Sequence, residues 1–126
     1  MKSIVKTANA PAPIGPYNQA IKAGNFLYIS GQIAIDPQTN DLVLDSISSE
    51  TQLVLNNLKA ILNEADYDFS NVVKTTIFLK DMALFAEVNE IYSSYFTTDF
   101  PARETVAVAG LPKGVNVEIS VIAYKS

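Results

Sequence analysis

"VNVEISVIAY", residues 115–124, decides the fold. Val115, Val117, Ile119, Val121 and Ala123 alternate with Asn116, Glu118, Ser120, Ile122 and Tyr124. A period of two marks a strand with two chemically different faces. The first set is aliphatic throughout and suits a face covered by helices. The second set mixes polar groups, an acid and a tyrosine, and belongs on the other side of the sheet.

Working outward, "GLPKG" separates this strand from another at about 103–109. "NVVKTTIFLK" reads as a strand with Val73, Thr75, Ile77 and Leu79 on one side and Lys74, Thr76 and Phe78 on the other. Two apolar runs around Ala23-Gly24-Asn25 form a hairpin, and residues 36–41, "DPQTND", form a turn. Two segments carry helical periodicity. In "SSETQLVLNNLKAILNEAD", Val54, Leu58, Ile61, Leu62 and Ala65 share a face, with a capping box of Ser49 and Gln52. In "MALFAEVNEIYSSYF", Leu84, Phe85, Val88, Ile91, Tyr92, Tyr95 and Phe96 form the stripe and Asp81 is the N-cap. Tyr92, Tyr95 and Phe96 are read as core. The first 17 residues hold Pro11, Pro13 and Pro16 and read as an ordered but irregular lead-in.

The expected order is β-β-α-β-α-β-β, with room for a short strand near residue 43, in one α+β domain spanning residues 1–126. Two helices cover only one face of such a sheet. The other face then carries Phe26, Tyr28, Ser30, Phe78, Ile122 and Tyr124, unusually apolar for a monomer, so other subunits are expected to cover it.

Composition narrows the chemistry. The chain has 126 residues, no cysteine, no histidine and a net charge of −4. Thiolate nucleophiles, disulfides, cysteine metal sites and histidine bases are excluded. No metal site is expected, since the acids Asp36, Asp41, Asp45 and Glu50 are scattered. The acidic balance and the lack of a basic cluster disfavour nucleic acid. No apolar run reaches membrane-spanning length and no signal peptide is evident, so a cytoplasmic protein is expected.

"FPARETVAVAGLP", residues 100–112, sets a permanent cation at the head of an apolar strand. If Val106 and Val108 face the helices, then Arg103, Thr105 and Ala107 face the second side, together with Glu118. From residue types alone, this pair is an ion pair at an interface. On the same basis Tyr17 is a loop aromatic capping a backbone group, Asn89 a polar-face helix residue, and Ser30-Gly31 a strand terminus.

"NAPAPIGPYNQAIKAGNFLYISGQIAIDP", "VVKTTIFLKDMALFAEVNEIYSSYF" and "FPARETVAVAGLPKGVNVEI" resemble the RidA/YjgF/UK114 family in the expected order. The resemblance implies a chorismate-mutase-like (ferredoxin-like-related) subunit with both helices on one face of a mixed sheet. It also implies a homotrimer with active sites between subunits, and cofactor-free hydrolysis of 2-imino acids to 2-oxo acids and ammonia. Carried over by position, it makes Arg103 the carboxylate clamp and Glu118 the residue that positions or activates water. Tyr17, Ser30, the Gly31 backbone and Asn89 would line the cleft, and Thr105 would stand where some members carry cysteine. A guanidinium suits a carboxylate through paired planar donors. A carboxylate can deprotonate water as it attacks an already electrophilic iminium carbon. Glu104, Ala107, Gly110 and Ser120 depart from the usual pattern. They leave a second expectation open, a non-catalytic trimer binding a 2-oxo acid as sensor or scaffold. RNA cleavage, attached to relatives of this family, is disfavoured by the missing histidine and the acidic charge.

Overall fold

In the computed structural model, which describes residues 2–126, six strands form one mixed sheet. They are β1 (Lys2–Val5), β2 (Ala20–Ala23), β3 (Phe26–Gln32), β4 (Val72–Leu79), β5 (Ala102–Ala107) and β6 (Val117–Tyr124), in the order β1-β2-β3-β6-β4-β5. Only the β4–β5 pair is parallel. Helix α1 (Ile47–Glu64) precedes β4, and α2 (Phe85–Ser93) makes the crossover to β5.

The alternation in β6 does what the sequence requires. Val117, Ile119, Val121 and Ala123 are buried and pack with Val54, Leu58, Ile61 and Leu62 of α1 and Val88 and Tyr92 of α2, while Val115, also buried, joins a separate small cluster with Ile33 and Ile35. Tyr92 and Phe96 are buried core residues and Tyr95 packs partly exposed against them. The second face is open: Phe26, Tyr28 and Tyr124 are 41%, 46% and 39% exposed, with the Phe26 and Tyr124 ring centroids 4.9 Å apart.

The hairpin forms at Gly24-Asn25, where Gly24 takes the positive φ of 61° that a two-residue loop of this hand needs. The 36–41 turn closes through Asp36 N–H donating to the Asp41 carbonyl, and the short strand near residue 43 is only an Ile35–Leu42 bridge.

Several expectations are corrected. The lead-in contains β1, an edge strand paired to β2, so the order is β-β-β-α-β-α-β-β. The cap of α1 is Ser46, whose hydroxyl accepts from the Ser49 amide; Ser49 already lies inside the first turn. The second helical segment begins as a 3₁₀ turn (Met82–Leu84), which Asp81 caps, and its α-helix ends at Ser93, before Tyr95 and Phe96. In β4 a register shift between Val72 and Lys74 buries Val72 and turns Val73 outward.

The cap assignment is tested by two alanines. Ser46→Ala should cost about 1 kcal/mol, and Ser49→Ala a fraction of that. Urea denaturation at fixed protein concentration measures both.

Candidate functional site

The bulge in β3 builds the first half of the site. Ile29 pairs with Val121 and Gln32 with Ile119, so β3 spends one more residue than β6 across Ser30-Gly31. That extra residue breaks the alternation and keeps both Ser30 and Gly31 out of the core. The Ser30 amide donates to the Gln19 carbonyl (2.9 Å) and its hydroxyl to the Asn18 carbonyl (2.6 Å). These bonds draw the loop carrying Tyr17 against the end of β3.

Glu118, paired with Phe78 across the β4–β6 ladder, projects beneath the bulge. A Cβ on Gly31 would lie 2.0 Å from a Glu118 carboxylate oxygen. Glycine is present because the carboxylate takes the space a side chain would occupy. Tyr17, Ser30, Gly31, Gln32 and Glu118 line a hollow of about 380 Å³ together with apolar groups such as Ile14 and Ile33. Burial raises the Glu118 carboxyl above the usual carboxylate range. The Tyr17 hydroxyl accepts from the Ile14 amide (3.3 Å), the backbone-capping role its residue type suggests, while its ring stays on the hollow.

The second half lies elsewhere. Arg103 pairs with Thr75, Thr105 with Ile77 and Ala107 with Leu79, and Thr75, Ile77 and Leu79 are buried beneath the helices. Arg103, Thr105 and Ala107 are therefore on the helix side, while Val106, opposite Phe78 and 46% exposed, is on the open side. This reverses the facing expected from the alternation. The Arg103 guanidinium donates to Asn89 Oδ1 (2.7 Å) and lies over the rings of Phe85 (5.5 Å) and Tyr92 (5.1 Å). Tyr92 is held in turn by a 2.8 Å hydrogen bond with Thr75. Burial raises the Tyr92 phenol, with the Thr75 bond and the Arg103 charge opposing. The Thr105 hydroxyl is buried with no partner among the described residues.

Arg103 and Glu118 of one chain thus occupy opposite sides of the sheet. Glu104 faces away from Arg103, as expected, and its carboxyl is held low by hydrogen bonding and charge from Lys74, 2.5 Å away. No carboxylate lies within 4.0 Å of Arg103 among the described residues. Each half is incomplete: an acid hollow without a cation, and a braced cation without an anion.

Comparisons with known proteins place the chain. The family model described as Endoribonuclease L-PSP matches residues 7–125. The chain belongs to the RidA/YjgF/UK114 family. It is 55% identical to a RutC family protein of Pyrococcus horikoshii, covering 99% of both chains. It is 46% identical to the human protein named 2-iminobutanoate/2-iminopropanoate deaminase, covering 99% of this chain and 91% of that one. RidA from an Antarctic Psychrobacter superposes with a TM-score of 0.94 at 41% identity, over 98% of this chain and 99% of that one. The mixed α+β sheet with two helices is the RidA fold.

Sequence reading missed two residues that support these halves. Gln19 is buried and holds the loop that walls the acid hollow. Glu50, fully buried in the first turn of α1, accepts from the Asn116 and Val117 amides and the Asn116 side chain, fixing the start of β6 just before Glu118. An acid in a first helical turn is a known signal; its distant partners are not.

Gly31→Ala should leave the fold intact, because a carboxylate tip moves more readily than backbone, and should expel the Glu118 carboxyl toward water. The Glu118 pKa should then fall toward the ordinary value in a carboxyl-carbon NMR titration. An unchanged titration with an intact fold would refute the assigned contact.

Proposed function

We propose that the chain is a cofactor-independent deaminase of 2-iminobutanoate and 2-iminopropanoate, acting in the cytoplasm as a homotrimer. In this reading each site joins Arg103 and Asn89 of one copy to Tyr17, Ser30, Gly31 and Glu118 of the next. The observation that carries it is the division of the site residues into two incomplete halves on opposite faces, beside an open apolar sheet face that a second copy would cover. The human and mouse relatives named as imine deaminases support the chemistry. So does a neighbour 38% identical over 98% of this chain, described as TdcF with bound serine, a small amino acid.

The mechanism follows from the groups. Arg103 offers planar donors to the substrate carboxylate, and Asn89 with the two rings holds the guanidinium in place before substrate arrives, so little ordering remains for binding. The iminium carbon lies over the hollow. Water attacks it, the C–O bond forms and the C=N π pair moves to nitrogen. Glu118 takes a proton from that water. A carboxyl with a raised pKa is a stronger base than an exposed one and also a donor matched to the departing nitrogen. Glu118 returns that proton to nitrogen, the C–N bond breaks with its electron pair going to nitrogen, an oxygen lone pair forms the C=O bond, and the hydroxyl proton leaves with ammonia as ammonium, so the 2-oxo acid remains. Ser30 and Gly31 line the hollow in which the new oxygen would form.

Two experiments test this. Added to an amino-acid dehydratase that releases 2-iminobutanoate, the protein should accelerate release of 2-oxobutanoate and ammonia. Arg103→Lys should lose most of that rate with the trimer intact. Binding of 2-oxobutanoate without acceleration would favour the sensor or scaffold reading instead. Separately, Arg103→Ala and Glu118→Gln should each be inactive. Mixed, unfolded and reassembled together, they should recover about a quarter of the wild-type rate, since random cyclic trimers regenerate one intact site per mixed ring. Persistent inactivity of mixed trimers would overturn the shared site.

A further inference from the structure

Gln19 is only 3% exposed although it lies in the loop leading to β2. Every hydrogen bond its side chain makes goes to one segment. The Oε1 accepts from the Thr7 amide (2.7 Å), and Nε2 donates to the carbonyls of Thr7 (3.0 Å), Pro11 (2.8 Å) and Ala10 (3.2 Å). Three carbonyls share two N–H groups, so one bond is three-centred. Through its backbone carbonyl the same residue accepts from Ser30. One amide side chain therefore joins residues 7–11 to the bulge that presents Ser30 and Gly31.

Apart from Gln19, two exposed hydrogen bonds tie that segment, the Ile14 amide to the Tyr17 hydroxyl and the Asn9 amide to the Thr7 hydroxyl. Ala10 is its sole buried residue between Thr7 and Ile14, and Pro11 and Pro13 have no N–H to donate. The strap is also undercut: a second hollow lies beside Lys6, Ala8 and Pro13. Yet Pro11, Ala12 and Ile14 form the wall of the hollow that contains Glu118.

We propose that Gln19 is a positioning residue that sets this wall, and so the width of the ligand hollow, by clamping the strap of residues 7–14. The inference rests on the deaminase reading of the same hollow. A clamp of this kind governs how tightly the ligand is held more than the chemical step: Gln19 borders the hollow, but its hydrogen bonds go to the strap and to Ser30, and none to Glu118 or Arg103.

The test uses Gln19→Met, which keeps the volume and removes every side-chain hydrogen bond, and Gln19→Glu, which keeps the acceptor for the Thr7 amide and loses the donors. Both are studied in the full assembled protein. Amide exchange at Thr7 and Ile14 should quicken about ten-fold or more, while α1 and β6 amides are unaffected. In the imine assay KM should rise by a similar factor with kcat within about two-fold of wild type. Unchanged strap exchange, uniform acceleration of all amides, or a fall in kcat at constant KM would each overturn the proposal. If the wild type binds 2-oxobutanoate without turnover, the deaminase reading fails, and the Kd for that acid replaces KM as the deciding measurement for Gln19. A wild type that neither binds nor turns over removes both.

Discussion

The pairing of β4 with its two neighbours fixes on which side of the sheet each reactive group stands. Arg103 lies opposite Thr75 in the parallel ladder, and Glu118 opposite Phe78 in the antiparallel one. Thr75 and Phe78 point to opposite faces of one strand, because side chains alternate. No rotamer change carries a guanidinium through a hydrogen-bonded sheet. The chain holds a cation and an acid that face away from each other, and under the proposed function what they do together depends on a second copy.

The separation has an electrostatic consequence. Were Arg103 and Glu118 neighbours within one chain, they would neutralise each other, and a ligand would have to break that pair. Instead Arg103 rests on two aromatic faces and an amide oxygen, contacts that hold a cation while leaving donors free. Glu118 stays in a hollow with apolar walls, where burial favours its protonated form. The one carboxylate adjacent to Arg103 in sequence, Glu104, is directed to the other face and engaged by Lys74. Charges that could quench the site are placed where they cannot reach it.

Most of the frame was legible because burial imposes period. The β6 alternation, the α1 stripe and the Gly24 hairpin each follow from one rule acting on one segment. The facing of Arg103 failed for a physical reason. Val106 was a natural anchor for the buried side, but this sheet is apolar on both faces, so hydrophobicity no longer says which face is the core. The irregularity between Val72 and Lys74 turned Val73 away from the face that Thr75, Ile77 and Leu79 share, with no signal in its residue types. The Ser46 cap was obscured by Ser48 and Ser49, equally good capping residues by composition. β1 was hidden because four residues beside a proline-rich stretch, half of them Lys2 and Ser3, carry too little pattern. Gln19 and Glu50 were invisible in a deeper sense: their importance lies in partners far away in sequence, and nothing local announces them.

The close contact between Gly31 and Glu118 links these observations. A bulge places a residue without a side chain over an acid, and the acid fills the vacancy. In the lone chain the proton affinity of Glu118 is governed by burial alone, which favours the neutral form. Under the proposed assembly, the guanidinium of an adjacent copy and the anionic ligand between them supply opposing fields, the first favouring the ionised carboxyl and the second the neutral one. A base that must take a proton from water and return it to nitrogen needs that balance. Assembly would then supply more than the missing residue: it would set the proton affinity of the one already present.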